Sequence, residues 1–320
     1  MSAAICGRIV LCALTSASVL SAQPTRQADP PAAELAISLG RLDIAEQELF
    51  AASSRAPREP SARGALGFFL ASRGHLKVGT VLLEEARQFG GNVRAIDARL
   101  AHIYPWYGAW NLVSQLPTAR SFDPAEHDRA NWLAVHRSPV HGPDSVVVAL
   151  EPSEDSAAAA LGRVSLNIDG TIVHADIDPN VEGIVLPAAN NVLGSMQLFG
   201  TIRGTGVTLG VSNAVVIGGL TLSNVPVRFD DGVRARVGFD VLSPFTPTFD
   251  PAASQLTLRV RAAAPMGSES IAFLLGFPGI RIAARPGSPL VPIESEVGRA
   301  ALRGTRWTFD LRRGAITLAR

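Results

Sequence analysis

Residues 174–187 read HADIDPNVEGIVLP. The stretch runs as a strand to Asp178, turns at Asp-Pro-Asn and leaves through the apolar run Ile184–Leu186. Asp, Pro and Asn all favour turns: Pro by its fixed φ, Asp and Asn by bonding their own backbone. An acid held at the tip of a turn between two apolar strands is also how a hydrolase presents a catalytic carboxylate. Asp178 is therefore the candidate catalytic residue. Asp176 and His174 precede it at two-residue steps and share its strand face. Two acids so close along one strand are poorly placed to share a water, and His174 reads as a surface partner of nearby acids.

From Asp144 onward the chain is a series of short β-rich runs bounded by Gly, Asn, Asp and Pro, among them SVVVAL, GRVSLNIDGTIVHADI and VTLGVSNAVVIGGLTLSNVPVRF. The Asp-Gly of NIDGTI and the Gly-Gly of VIGGLT are hairpin signals. The spacing leaves no room for crossover helices, so residues 144–261 are expected to form an antiparallel all-β unit, a small barrel or folded sheet.

The ordered set VSLNIDGTIVHADIDPNVEGIVLP, GTIRGTG, NAVVIGGLTLSNVPVRF and VGFDVLSPFTPTFDPAASQLTLR resembles the retropepsin-like aspartic protease superfamily over residues 160–260. The resemblance implies an acid-protease-like barrel in which two aspartates from two copies of one turn share a proton and activate a water. It puts Asp178 on the catalytic aspartate. Pro179 falls where the family has Thr or Ser, Asn180 where it has Gly, and Gly183 on a glycine of the following strand. Gly204 and Gly206 fall in the flap. Pro179, Asn180, Gly183, Gly204 and Gly206 are thus the implied substrate-binding residues. Arg236-Val237-Gly238 is a weakened form of the family's apolar-apolar-Gly step. Proline has neither the hydroxyl that locks the two turns nor a backbone N–H. The resemblance therefore implies an impaired enzyme fold that binds peptide or protein. The alternative is an active homodimeric endopeptidase that brings two copies of Asp178 together.

The closing segment recurs. VLSPFTPTFDPAASQLTLR (241–259) matches ALRGTRWTFDLRRGAITLAR (301–320) at an offset of 60, pairing Thr248-Phe249-Asp250 with Thr308-Phe309-Asp310. Each copy reads as two strands joined by a turn, which makes Asp250 and Asp310 turn residues. Residues 262–320 are expected to be a reduced second half-lobe. Its SIAFLLGFPGIRIAARPGSPLVPIESE contains no Asp, and GFPGIR lacks an acid-hydroxyl-Gly turn.

Residues 31–117 carry helical patterning, and Gly40, Gly74 and Gly108 stand 34 residues apart. The small residues Ala45, Ala52 and Gly67 would let helices approach closely, and Pro57 would stop one. The period resembles the tetratricopeptide repeat, a helix–turn–helix unit that stacks into a concave groove. Such a stack binds a peptide or partner, or serves as a spacer or scaffold. Residues 118–143 are expected to be a linker. The whole chain thus reads as α+β and multidomain.

One charge, Arg8, precedes the apolar run Ile9–Leu14 and the small residues up to Ala22, the layout of a secretory signal peptide over residues 1–22. A polar linker follows over 23–30, and a periplasmic or secreted location is expected. Both cysteines, Cys6 and Cys12, lie in that peptide. Without Arg8 the 29 basic residues become 28, equal to the 28 acidic ones. A neutral chain gives no electrostatic case for nucleic acid. No later apolar run reaches membrane-spanning length. There is no phosphate loop, zinc spacing or nucleophile elbow, so no metal or cofactor is expected.

Overall fold

The computed structural model describes residues 30–118, 122–153, 161–188, 195–231, 233–260, 269–285, 288–311 and 314–319. The expected signal peptide, nearly all of the 23–30 linker and both cysteines lie outside them. The described chain is helical first and β-rich after, an α+β arrangement.

The helices are α1 (Pro30–Ser38), α2 (Leu42–Arg55), α3 (Pro60–Ser72), α4 (Leu76–Gln88), α5 (Val93–Ile103), α6 (Trp110–Ser114) and α7 (Pro124–Val135), with a 3-10 turn at Tyr104–Tyr107 between α5 and α6. Helices α2, α4 and α6 begin 34 residues apart, each just after a glycine in the left-handed region: Gly40 at φ +72, Gly74 at +89 and Gly108 at +73. A side chain there would meet steric strain. Two of these glycines also touch the β part. A Cβ on Gly40 would stand 2.0 Å from the Ser288 carbonyl oxygen, and one on Gly74 would stand 1.9 Å from that of Leu311. Within the helical part, α3 and α4 cross at Gly67 and Gly79, where a Cβ on either would come within 2.8 Å of the other's carbonyl oxygen.

Residues 118–143 are not a plain linker. Helix α7 lies there, opened by a capping box in which Asp123 and Glu126 satisfy each other's backbone amides, with Pro124 in the first turn.

The strands are β1 (Val140–His141), β2 (Ser145–Ala149), β3 (Arg163–Ile168), β4 (Thr171–Ile177), β5 (Ile184–Pro187), β6 (Gln197–Thr201), β7 (Thr208–Ile217), β8 (Leu220–Asp230) and β9 (Arg236–Val237). Helix α8 (Phe239–Leu242) follows, then β10 (Phe245–Asp250), β11 (Gln255–Val260), β12 (Glu269–Leu275), β13 (Ile280–Ala283) and β14 (Leu290–Pro292). Helix α9 (Glu296–Leu302), β15 (Arg306–Asp310) and β16 (Ala315–Ala319) end the described order.

The first sheet runs β1-β8-β5-β9-β4-β3-β7-β6, and β7 also pairs with β8, so six strands return on themselves. Both expected hairpins form: Asp169 and Gly170 join β3 to β4, and Gly218 and Gly219 join β7 to β8, all four at positive φ. The purely antiparallel expectation fails at two places. Strand β4 runs parallel to β9, and β5 runs parallel to β8. The connections between these parallel partners run through the β6–β7 hairpin and β8, so no crossover helix is needed.

The second sheet runs β14-β13-β12-β16-β15-β10-β11-β2. The echoed segments meet at its centre: β10 and β15 run antiparallel with Thr248 opposite Thr308 and Phe249 opposite Trp307. Phe249 stacks on Trp307 at 4.0 Å between ring centres, and Phe309 packs edge-on against Phe239. The described strands of 269–319 therefore share a sheet and a core with 245–260.

The Thr248 and Thr308 hydroxyls are buried and lie 2.9 Å apart. Thr248→Val or Thr308→Val alone leaves a buried hydroxyl without its partner and is expected to cost about 1–3 kcal/mol, whereas the double substitution is nearly neutral. Urea unfolding of the four proteins measures the coupling.

Candidate functional site: the Asp178 turn

Strand β4 ends in a backbone bond from the Asp178 amide to the Val237 carbonyl, 3.0 Å. That bond places the Asp178 carboxyl beside the start of β9. Its side chain is 7% exposed, and both oxygens are engaged. Oδ1 accepts from the Asn180 amide at 2.9 Å, the local bond that makes Asp a turn former. Oδ2 pairs with Arg236 Nη1 at 3.2 Å. Arg236 occupies the position where the resemblance called for an apolar residue.

The other implied site residues fall into two places. Pro179 is buried, Asn180 is exposed and Gly183 is buried at φ +68. The Pro179 carbonyl accepts the amide of Gly279 at 2.9 Å, so the Asp178 turn is met by the turn Gly276–Gly279 of the same chain. Gly183 stands close to the Pro226 carbonyl, and its amide bonds both oxygens of Asp240 at 3.0 and 2.8 Å. Gly204 and Gly206 are exposed, at φ +75 each, in the turn from β6 to β7. The described contacts of that hairpin run to α7. The Arg203 amide bonds Asp123 Oδ2 at 3.0 Å, Phe199 packs edge-on with Trp132, and Val207 and Leu209 pack with Ala125.

The Gly276–Gly279 turn belongs to a second, shorter copy of the first. In the first copy the turn leads to β5, which pairs antiparallel with β9, then α8, β10 and β11. In the second the turn leads to β13, which pairs antiparallel with β14, then α9, β15 and β16. Phe277-Pro278-Gly279 thus matches Asp178-Pro179-Asn180, 99 residues earlier, while the closing strands match at 60. The missing 39 residues correspond largely to β6, β7 and β8. In the second copy Phe277 takes the place of Asp178. Its ring is buried, edge-on to Trp106 at 5.5 Å and near Phe68 at 6.2 Å.

The remaining candidates have structural partners. Asp176 is buried and pairs with Arg163 Nε at 3.2 Å, not with Asp178. His174 is exposed, bonded to Ser165 and 3.9 Å from Glu151. Asp250 caps its turn through the Ala253 amide and pairs with Arg306. Among the described residues no group of three or more His, Cys, Asp or Glu is placed to hold a metal ion. No helix among them is long and apolar enough to cross a membrane.

Sequence reasoning passed over a polar cluster beside the turn: His102, Glu126, Arg129, Glu182, Arg228 and Asp240. Burial, then the nearby charge of Glu182, pushes the Asp240 carboxyl up to about 7. The Glu182 hydrogen bond raises His102 above its ordinary value against the effect of burial. The sequence signal was Gly238-Phe239-Asp240, an acid in the first turn of a short helix.

No protein-family model matches the chain, and no curated protein matches it. Among solved structures, a retropepsin-like aspartic protease from Rickettsia conorii is similar at 16% identity and a TM-score of 0.28, over 39% of this chain and 97% of that one. The likeness is weak, and the chemistry of the turn is read from its own geometry.

Two substitutions separate the ion pair from the turn. Arg236→Met leaves a buried carboxyl with one partner fewer and is expected to destabilise by about 1–3 kcal/mol. The double variant Asp178→Asn with Arg236→Met keeps an acceptor for the Asn180 amide and regains most of that loss, read by chemical denaturation.

Proposed function

We propose that the chain is an exported binding protein with a retropepsin-like lobe whose catalytic turn now serves structure. Its helical part is read as a short tetratricopeptide-like stack. The observation that carries this reading is the environment of Asp178. An acid-protease pair needs a second carboxyl opposite the first. Here both oxygens of Asp178 are engaged, and the matching residue of the opposing turn is Phe277, held among aromatic rings.

The same contact speaks against the homodimeric endopeptidase. A second Asp178 would have to approach where this chain's own Gly279 already bonds Pro179.

A groove of about 860 Å³ supports peptide or protein binding. Helices α1, α2, α3 and α5 and strand β12 line it, with Ile37, Leu49, Phe68 and Phe69 as apolar walls. The guanidinium of Arg99 lies over the Phe68 ring at 4.6 Å, where it can meet a peptide carboxylate or carbonyl.

Purified protein incubated with a mixed peptide library at acidic pH is expected to give no cleavage. Cleavage that disappears in Asp178→Asn would overturn the reading. Peptides selected for binding are expected to lose about tenfold or more in affinity, about 1.4 kcal/mol, in Ala65→Trp, which fills the groove from an exposed position. Sequencing the mature N-terminus from cell fractions tests export.

A further inference from the structure

The loop that follows the Asp178 turn is held from two sides by titratable groups that the turn itself does not use. On one side Asp240, in α8 of the β part, receives the Gly183 amide on both oxygens. On the other side His102, near the end of α5, bonds Glu182 through Nδ1 at 2.7 Å. Residues 181–183 thus join the helical part to the β part.

Other elements add charge here. Glu126 of α7 acts on His102 along with Glu182. Arg129 of α7 is drawn to Glu126, Glu182 and Asp240 and repelled by Arg228 of β8. The buried Nε of Arg129 has no hydrogen-bond partner among the described residues.

We propose that this cluster is a pH-sensitive latch: with Asp240 neutral and His102 protonated it fastens the 181–183 loop and the helical part to the β part, and it loosens as rising pH removes both protons.

Both groups act with the same sign. Burial and the charge of Glu182 hold the Asp240 proton to about 7 in the latched form, against the Gly183 bonds, which favour the ionised carboxylate; in a released loop open to water Asp240 would ionise near its ordinary value of about 4. Between those values the latched form binds the extra proton, so latching weakens as pH rises. His102 is raised in the latched form by Glu182. Its contribution is complete below about 6.5 and is lost as pH rises through the raised value. Glu182 enters both effects: it repels ionised Asp240 and holds protonated His102. With both protons bound, the three acids and three bases of the cluster sum to one positive charge. With both lost they sum to one negative charge.

The latch does not depend on whether Asp178 is catalytic. Amide exchange on the full chain, corrected for its intrinsic pH dependence, reads it directly. Opening at Gly183 is expected to rise with pH by up to about tenfold per unit for each proton released. Asp240→Asn, His102→Gln and Glu182→Gln should each flatten the profile. Glu182 is only partly buried, so that variant is expected to fold. A proton NMR titration of His102 in the unaltered protein provides a check that needs no variant. A pH-independent opening at Gly183, a Glu182→Gln profile as steep as the original, or a His102 titration at or below its ordinary value would each overturn the latch.

Discussion

The antiparallel seam between β10 and β15 is the contact on which the rest of the β part depends. Two segments that share the pattern Thr-Phe-Asp lie side by side, so their threonines face each other and their aromatic residues stack in one core. This self-pairing brings the described residues of 269–319 into the same core. It also fixes where the two turns go. Each closing strand pair follows its own short helix, and each helix follows a strand paired with the one that leaves a turn. Once the closing strands are joined, the Asp178 and Phe277 turns face each other, and the bond between Gly279 and Pro179 completes the contact.

That geometry explains the chemistry of the Asp178 turn. A lone buried carboxylate is unfavourable without partners. In an acid-protease pair the second acid and a water supply them. Here Arg236 and the Asn180 amide do so, and the residue of the opposing turn, Phe277, packs against Trp106 and Phe68 of the helical part. The shortening of the second copy fits the same picture: it retains the turn and the closing strands and dispenses with the hairpins between them. The hairpin carrying Gly204 and Gly206 is tied to α7 through Asp123 and Ala125, away from the turn.

The helical and β parts are joined by close backbone approach as well as by side chains. Gly40 and Gly74 end helices in the left-handed region and also lie against the carbonyls of Ser288 and Leu311. Gly314 does the reverse, lying against the carbonyl of Arg73. The glycine period of the helical part is therefore also part of its junction with the second sheet. The junction continues through Phe277 and through the charged cluster at Glu182.

Features set by neighbours in sequence were legible before the structure: the Asp-Gly and Gly-Gly hairpins, the turn at Asp178, the glycine period and the echo of the closing segment. Each depends on local φ preferences or on alternation along one strand. Helix α7 was missed although Asp123, Pro124 and Glu126 announce its start, because its apolar residues do not form a clear helical stripe. The departures from the family's turn at Pro179 and Asn180 were readable in the sequence. The partners of that turn were not, because Arg236 lies 58 residues from Asp178 along the chain and Gly279 lies 100 from Pro179. The sequence by itself determined where the chain turns and which segments repeat. Only the tertiary structure decided which turn meets which, bringing the Asp178 turn against the one that carries Phe277, because that choice rests on pairing between distant strands.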